Sequence, residues 1–418
     1  MLSIFDLVAI LLTVSAAFAF INAKLLRLPT TIGVMIMGLA ASLTLIGLEL
    51  LTAETQLSRA LTDAVRQIDF TEALMHGMLA FLLFAGALHV DLIKLKSRTA
   101  SVGLLATVGV LVSITIVGIS FWLVAGWLGS PIALIWALVF GALISPTDPV
   151  AVLSILKAVH VPEELEVEMT GEALLNDGVG VVVFTILVAA AVGTEGVGFG
   201  VVQVGQLFFV EALGGAILGL ITGYVAYRAM RLIDDYRIEV LISLAVVMGT
   251  YALASKLDLS GPIAMVCAGL LIGERGPADA MSETTQQYLF SFWTLIDEIL
   301  NIVLFLLIGL EVLVLRPGQA VTPLALLAIP IVLVARFVSV AAPVAALSVR
   351  MRFMKGTIPV LTWGGVRGGI SIALVLSIPE FPQKPIILAA TYAVVIFSIV
   401  VQGLTLAPLV RKVVTTRK

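Results

Sequence analysis

The sequence predicts an all-α membrane protein of about thirteen transmembrane helices, with two interrupted spans oriented as inverted repeats require. Three observations predict it. Apolar residues make up 60% of the 418 and charged ones 12%, with a mean hydropathy of +1.16; a soluble domain is about 45–50% apolar and about 25% charged. Apolar runs of about 20 residues, long enough to cross a bilayer, recur from end to end. Two of these runs, one in each half of the chain, carry helix-breaking residues beside charges, which points to a transporter site at mid-membrane.

The spans follow in order. The first covers about 4–22 and the second about 30–48. A stretch from Thr52 to Asp69 mixes both charge signs and reads as an amphipathic surface segment. The third span, about 70–90, ends in a cluster holding Asp91, Lys94, Lys96 and Arg98. The fourth is about 101–124, the fifth about 131–156 and the sixth about 168–192. The seventh is about 201–229, the eighth about 238–255, the ninth about 259–273 and the tenth about 291–315. The eleventh, about 321–347, contains Arg336; the twelfth is about 357–378 and the thirteenth about 386–409.

The basic residues test this count. Seventeen of the 24 fall in one set of alternate loops, and five (Arg59, Arg66, Lys256, Arg316 and Lys384) fall in the other. The remaining two, Arg336 and Arg367, lie inside spans. A wrong count would scramble the alternation. The expected topology is therefore N-terminus outside and C-terminus cytoplasmic, in a plasma (bacterial inner) membrane. Met1 to Asp6 carries no Lys or Arg before the first apolar run, so no cleavable signal peptide is expected. A net charge of −3 and the lack of any basic tract beyond Arg411-Lys412 and Arg417-Lys418 argue against nucleic acid as a partner. Cys267 is a single thiol in an apolar segment and reads as a packing residue. His76 reads as packing, and His89 and His160 as interfacial.

The fifth span contains Ser145-Pro146-Thr147-Asp148-Pro149. Two prolines three apart remove two amide donors and clash with the preceding turns, so the backbone there should open. The twelfth contains Gly364-Gly365-Val366-Arg367-Gly368-Gly369. Glycine costs a helix about 1 kcal/mol per residue but lets backbones approach closely. The two spans run in opposite directions, as an inverted repeat requires. Irregular backbone at membrane depth belongs where it lines a cavity or is buried in protein.

The sixth span opens with Gly171-Glu172-Ala173-Leu174-Leu175-Asn176-Asp177-Gly178. A charge near the centre of a membrane helix costs roughly 2.5–3.5 kcal/mol, so these carboxylates call for a function. Glu172 and Asp177 lie about 140° apart around a helix and cannot serve one point. This suggests a division of labour. Asp177 faces a water-reachable cavity and alternates between a proton and a cation; Glu172 faces a structural partner, Arg336 or Arg367.

Together the Gly-Glu-Ala-Leu-Leu-Asn-Asp-Gly, Ser-Pro-Thr-Asp-Pro-Val-Ala-Val and Gly-Gly-Val-Arg-Gly-Gly-Ile-Ser motifs resemble the monovalent cation–proton antiporter family. The branch is that of the NhaP antiporters and animal sodium/proton exchangers, and the likeness runs over essentially the whole chain. It implies the NhaA-like antiporter fold, an inverted-repeat architecture with the fifth and twelfth spans crossing near their unwound centres, no enzyme activity, no cofactor, a homodimer, a role in pH homeostasis and elevator-like alternating access. The implied division is dimerisation helices at 1–100 and 230–318, core helices at 101–193 and 319–418, and a linking helix at 194–229. The same resemblance makes Asp177 the essential ion- and proton-binding carboxylate. Asn176 beside it implies electroneutral exchange of one cation for one proton. Thr147 and Asp148 become unwound-helix ligands of sodium together with Asp177. Glu172 and Arg336 become a structural ion pair, and Arg367 a second core arginine. Ala173 stands where some relatives have a hydroxyl, and Phe84-Ala85-Gly86-Ala87 is neutral where some have an acid; water then replaces those ligands. No long regulatory tail is expected. Sodium, with lithium beside it, is the expected cation. Potassium is the alternative, and an intramembrane aspartyl protease using Asp148 and Asp177 a remote one. A channel would need rings of ligands around an open pore, which embedded acid–base pairs do not provide.

Overall fold

In a computed structural model of the chain, residues 4–51, 78–90, 92–148, 161–193, 201–311, 323–349 and 351–413 are described, and the regular structure among them is helical. The helices are α1 (Ile4–Ile21), α2 (Thr30–Leu51), α3 (Leu79–Leu88), α4 (Leu92–Leu104), α5 (Val110–Trp127), α6 (Leu134–Ile144), α7 (Glu163–Gly193) and α8 (Val201–Met230). They continue with α9 (Tyr236–Lys256), α10 (Gly261–Asp279), α11 (Glu283–Glu311), α12 (Pro323–Leu347), α13 (Thr357–Trp363), α14 (Gly369–Ser377), α15 (Lys384–Phe397) and α16 (Gly403–Val413). π-helical turns at Leu105–Gly109 and Ser398–Gln402 join α4 to α5 and α15 to α16. Among the described residues, nine helical runs are long and apolar enough to cross a membrane, and α3 and α6 are shorter apolar helices.

Helix ends depart from the hydropathy reading in several places: α4 starts at Leu92, about nine residues before the fourth span, and α10 runs on to Asp279. α7 starts at Glu163 and α11 at Glu283, each several residues before the apolar run. Helical hydrogen bonding continues through polar turns that hydropathy does not register. Thr52 to Asp69, Pro149, His76 and His160 lie outside the described residues.

The chain forms two compact units. One comprises Met75–Leu111 and Glu163–Leu300. Its helices approach through small residues, as membrane helices do where lipid competes equally for apolar faces. Gly215, Gly219 and Gly223 of α8 recur every fourth residue and lie against Ser260, Ala264 and Ala268 at α10; a Cβ at Gly219 would stand 2.8 Å from Ala264 Cα. On α10, a Cβ at Gly269 would stand 2.8 Å from Phe84 O of α3. Trp293 is fully buried, packs on Phe84 at 4.7 Å and donates from Nε1 to Ser243 Oγ at 2.9 Å. Arg98 of α4 grips the start of α7, reaching Glu164 at 2.5 Å and Glu168 at 3.2 Å.

The other unit comprises Met1–Leu74, Val112–Pro162 and Asn301–Lys418. Here α2 crosses the end of α11 closely: a Cβ on Gly38 would stand 3.4 Å from Gly309 Cα, and Ser42 Oγ donates to Gly309 O at 2.9 Å. α12 packs along α15 and α13, and α14 packs on α15 and α6. This unit contains both interrupted spans.

Candidate ion-binding site

The fifth span stops being helical at Ile144. Pro146 has no N–H, so the turn it would have closed cannot form. Ser145 Oγ turns back to Gly141 O at 2.7 Å and lies 2.9 Å from Ser113 Oγ. The twelfth span stops at Trp363 and restarts at Gly369. The two breaks meet. Arg367 Nη1 donates to the carbonyls of Ser145 and of Pro146, the latter at 2.7 Å. In return the Asp148 N–H donates to Val366 O at 2.8 Å. Each break thereby satisfies polar groups that the other exposes, as burial demands.

The electrostatics fit this crossing. α6 ends at the freed carbonyls of Ser145 and Pro146, the negative end of its dipole, and a guanidinium sits there. α14 begins after Gly368, and the Asp148 carboxylate lies against Gly368: a Cβ there would stand 2.6 Å from Asp148 Cγ. A carboxylate thus stands at the positive end of a helix dipole. Thr147 is buried and Asp148 half-buried. Arg336, on α12, donates from Nη2 to Leu361 O at 3.0 Å and from Nε at 3.3 Å. Its side chain fills the space that a Cβ on Gly365 would need, 3.1 Å from Arg336 Cδ. Gly364 caps α13. A cavity lined by Arg336, Gly365, Arg367, Val394, Phe397 and Gln402 adjoins the break.

The other unit carries the carboxylates of α7. This helix runs unbroken through Glu172, Asn176 and Asp177, all buried: 1%, 0% and 4% exposed. Leu174 on the same helix packs toward Gly86 of α3, and Gly178 toward Ile263 of α10. A carboxylate buried in a membrane helix is costly and marks a functional site by default. Chemically, such a carboxylate can hold either a proton or a monovalent cation.

Sequence reasoning missed three participants: the Leu361 carbonyl beneath Arg336, and Ser398 and Gln402 of the thirteenth span. Backbone carbonyls have no signature in side-chain composition. Ser398 and Gln402 did carry a signal, because they are polar residues one turn apart within an otherwise apolar run.

Known proteins resemble the chain over nearly its whole length. The family profile described as "Sodium/hydrogen exchanger, transmembrane" matches residues 10–412. The chain is 44% identical to a Na(+)/H(+) antiporter NhaP of Pseudomonas aeruginosa, covering 98% of this chain and 96% of that one. It is 36% identical to a Na(+)/H(+) antiporter NhaH of Halobacillus dabanensis, covering 98% of both. Among solved structures it is similar to the sodium proton antiporter MjNhaP1 from Methanocaldococcus jannaschii at pH 8, with a TM-score of 0.76 over 97% of each chain and 19% identity. At that identity the likeness speaks for the fold alone.

Proposed function

Because the chain belongs to the sodium/hydrogen exchanger family, we propose that it exchanges sodium for protons across the membrane, with Asp177 alternately binding the cation and the proton. The family is one of transporters, so the protease reading of Asp148 and Asp177 is set aside. The observation that carries the proposal is a buried Asn176-Asp177 pair in a chain whose two broken spans cross through Arg367 and Asp148.

In the proposed cycle Asp177, ionised, takes up sodium with help from Asn176, Thr147 and Asp148. Release of sodium on the other side leaves a carboxylate that protonates, and the protonated form returns. One positive charge moves each way, so exchange is one-for-one and electroneutral. Lithium fits the same oxygen ligands. Glu172 and Arg336 serve as a structural ion pair, and Arg367 holds the crossing. The moving body comprises spans four to six and eleven to thirteen. Spans one to three and eight to ten form the homodimer scaffold, span seven links the two, and the N-terminus lies outside. The family motifs support this division.

The test is proton flux in proteoliposomes under an imposed pH gradient, with sodium, lithium, potassium and choline added in turn at clamped and unclamped voltage. Sodium-driven dissipation indifferent to voltage is expected, and Asp177→Asn should abolish it while the protein stays folded. A fully active Asp177→Asn protein would refute the site. A potassium response equal to or above that of sodium would replace sodium as the cation.

A further inference from the structure

The break in the twelfth span is held open from the thirteenth. In an unbroken helix the Arg367 N–H would donate to Trp363 O, four residues back. It does not. The Arg367 N–H donates to Ser398 Oγ at 2.8 Å, Ser398 Oγ–H donates to Gln402 Oε1 at 2.6 Å, and Gln402 Nε2–H donates to Trp363 O at 3.1 Å. Two side chains have taken the place of one helical hydrogen bond, and donor and acceptor are both satisfied through them. Ser398 and Gln402 open and close the π-helical turn Ser398–Gln402, and such turns recur at functional sites. Ser398, Gln402 and Arg367 are all buried, at 0%, 3% and 1% exposed. Trp363 is anchored a second time, from Nε1 to Thr405 Oγ1 at 2.8 Å.

We infer that Ser398 and Gln402 are positioning residues for cation binding: they wedge between Trp363 and Arg367 and keep the twelfth span unwound. The inference rests on the exchange reading above. The consequence reaches the fifth span. With the wedge in place, Val366 O is available to the Asp148 N–H, and the Arg367 guanidinium reaches the Ser145 and Pro146 carbonyls. Without it, Arg367 N–H and Trp363 O can pair directly and the segment rewinds. Val366 O then turns toward the N–H of Ile370, and Asp148 loses its backbone anchor. Cation affinity falls, although the protein still has a low-energy helical state to adopt.

The decisive variant is Gln402→Glu. An ionised glutamate still accepts from Ser398 but offers no hydrogen to Trp363 O; a protonated one does both. Purified wild type and variants would be reconstituted, and sodium-dependent proton flux measured against sodium concentration at several pH values. Gln402→Glu should match the wild-type KM at the acidic end. Its KM should rise above wild type by roughly fivefold to tenfold at the alkaline end, the size of one lost buried hydrogen bond. Gln402→Leu and Ser398→Ala should raise KM at every pH, and Ser398→Thr, which keeps the hydroxyl, should restore it. A Gln402→Glu protein whose KM tracks wild type throughout overturns the inference, as does one that tracks Gln402→Leu throughout. If Ser398→Ala does not fold, the Gln402→Glu profile decides alone. A folded wild type with no cation-driven flux would instead refute the exchange reading itself.

Discussion

Gly368 faces Asp148 with nothing to spare. Replacing it with alanine introduces a Cβ 2.6 Å from Asp148 Cγ and 2.7 Å from Asp148 Cβ. Non-bonded carbons rest about 3.5–4.0 Å apart, so the Asp148 side chain has to withdraw by about 1 Å. The backbone itself offers no objection: Gly368 has φ −124° and ψ −157°, an extended conformation open to any residue. In a tolerant site Gly→Ala would stabilise by about 0.4–1 kcal/mol through the unfolded chain. The substitution therefore separates geometry from stability. Misplacing a reacting group by 1 Å costs on the order of a hundredfold in an enzyme, and an ion ligand depends on distance in the same way. The expected result is a sodium KM raised by about tenfold or more with little change in Tm. The assay is sodium-driven proton flux in proteoliposomes, paired with thermal unfolding in detergent. A Gly368→Ala protein with wild-type KM would refute the reasoning, because Asp148 would then have moved without consequence for the cation.

Other outcomes follow from the same structure. Glu172→Gln should lower stability by about 3–5 kcal/mol if a buried pair with Arg336 is broken; an unchanged Tm in detergent would remove that pair from the account. Gly219→Val drives a branched side chain into the α8–α10 crossing, where even a Cβ would meet Ala264 Cα at 2.8 Å. Overpacking of this kind costs about 1–3 kcal/mol, so Tm should fall, and an unchanged Tm would mean that the helices are free to part.

Much of the fold was legible because its causes are local. Thirteen apolar runs marked the helices, since a bilayer demands about twenty residues of apolar surface wherever a chain crosses it. Pro146 marked one break and Gly364-Gly365 with Gly368-Gly369 marked the other, since a missing N–H or Cβ acts on its own turn. Glu172 and Asp177 stood out because a carboxylate in an apolar run is costly wherever the helix ends up.

Partners were another matter. The structure aims one Arg367 guanidinium nitrogen at two carbonyls 222 and 221 residues away in sequence. Arg336 likewise rests on the Leu361 carbonyl. No residue identity encodes a freed carbonyl, so no reading of side chains could find it. Ser398 and Gln402 drew no reading from the sequence, because only folding lays them across the gap from Trp363 to Arg367. Sequence by itself determined that this chain crosses the membrane repeatedly, where two of its spans break and that Glu172 and Asp177 ride in an apolar helix, because each follows from the residue and its immediate neighbours. Only the tertiary structure decided what fills the breaks, because a hydrogen bond lost within one helix can be replaced by any donor or acceptor that packing brings within 3 Å.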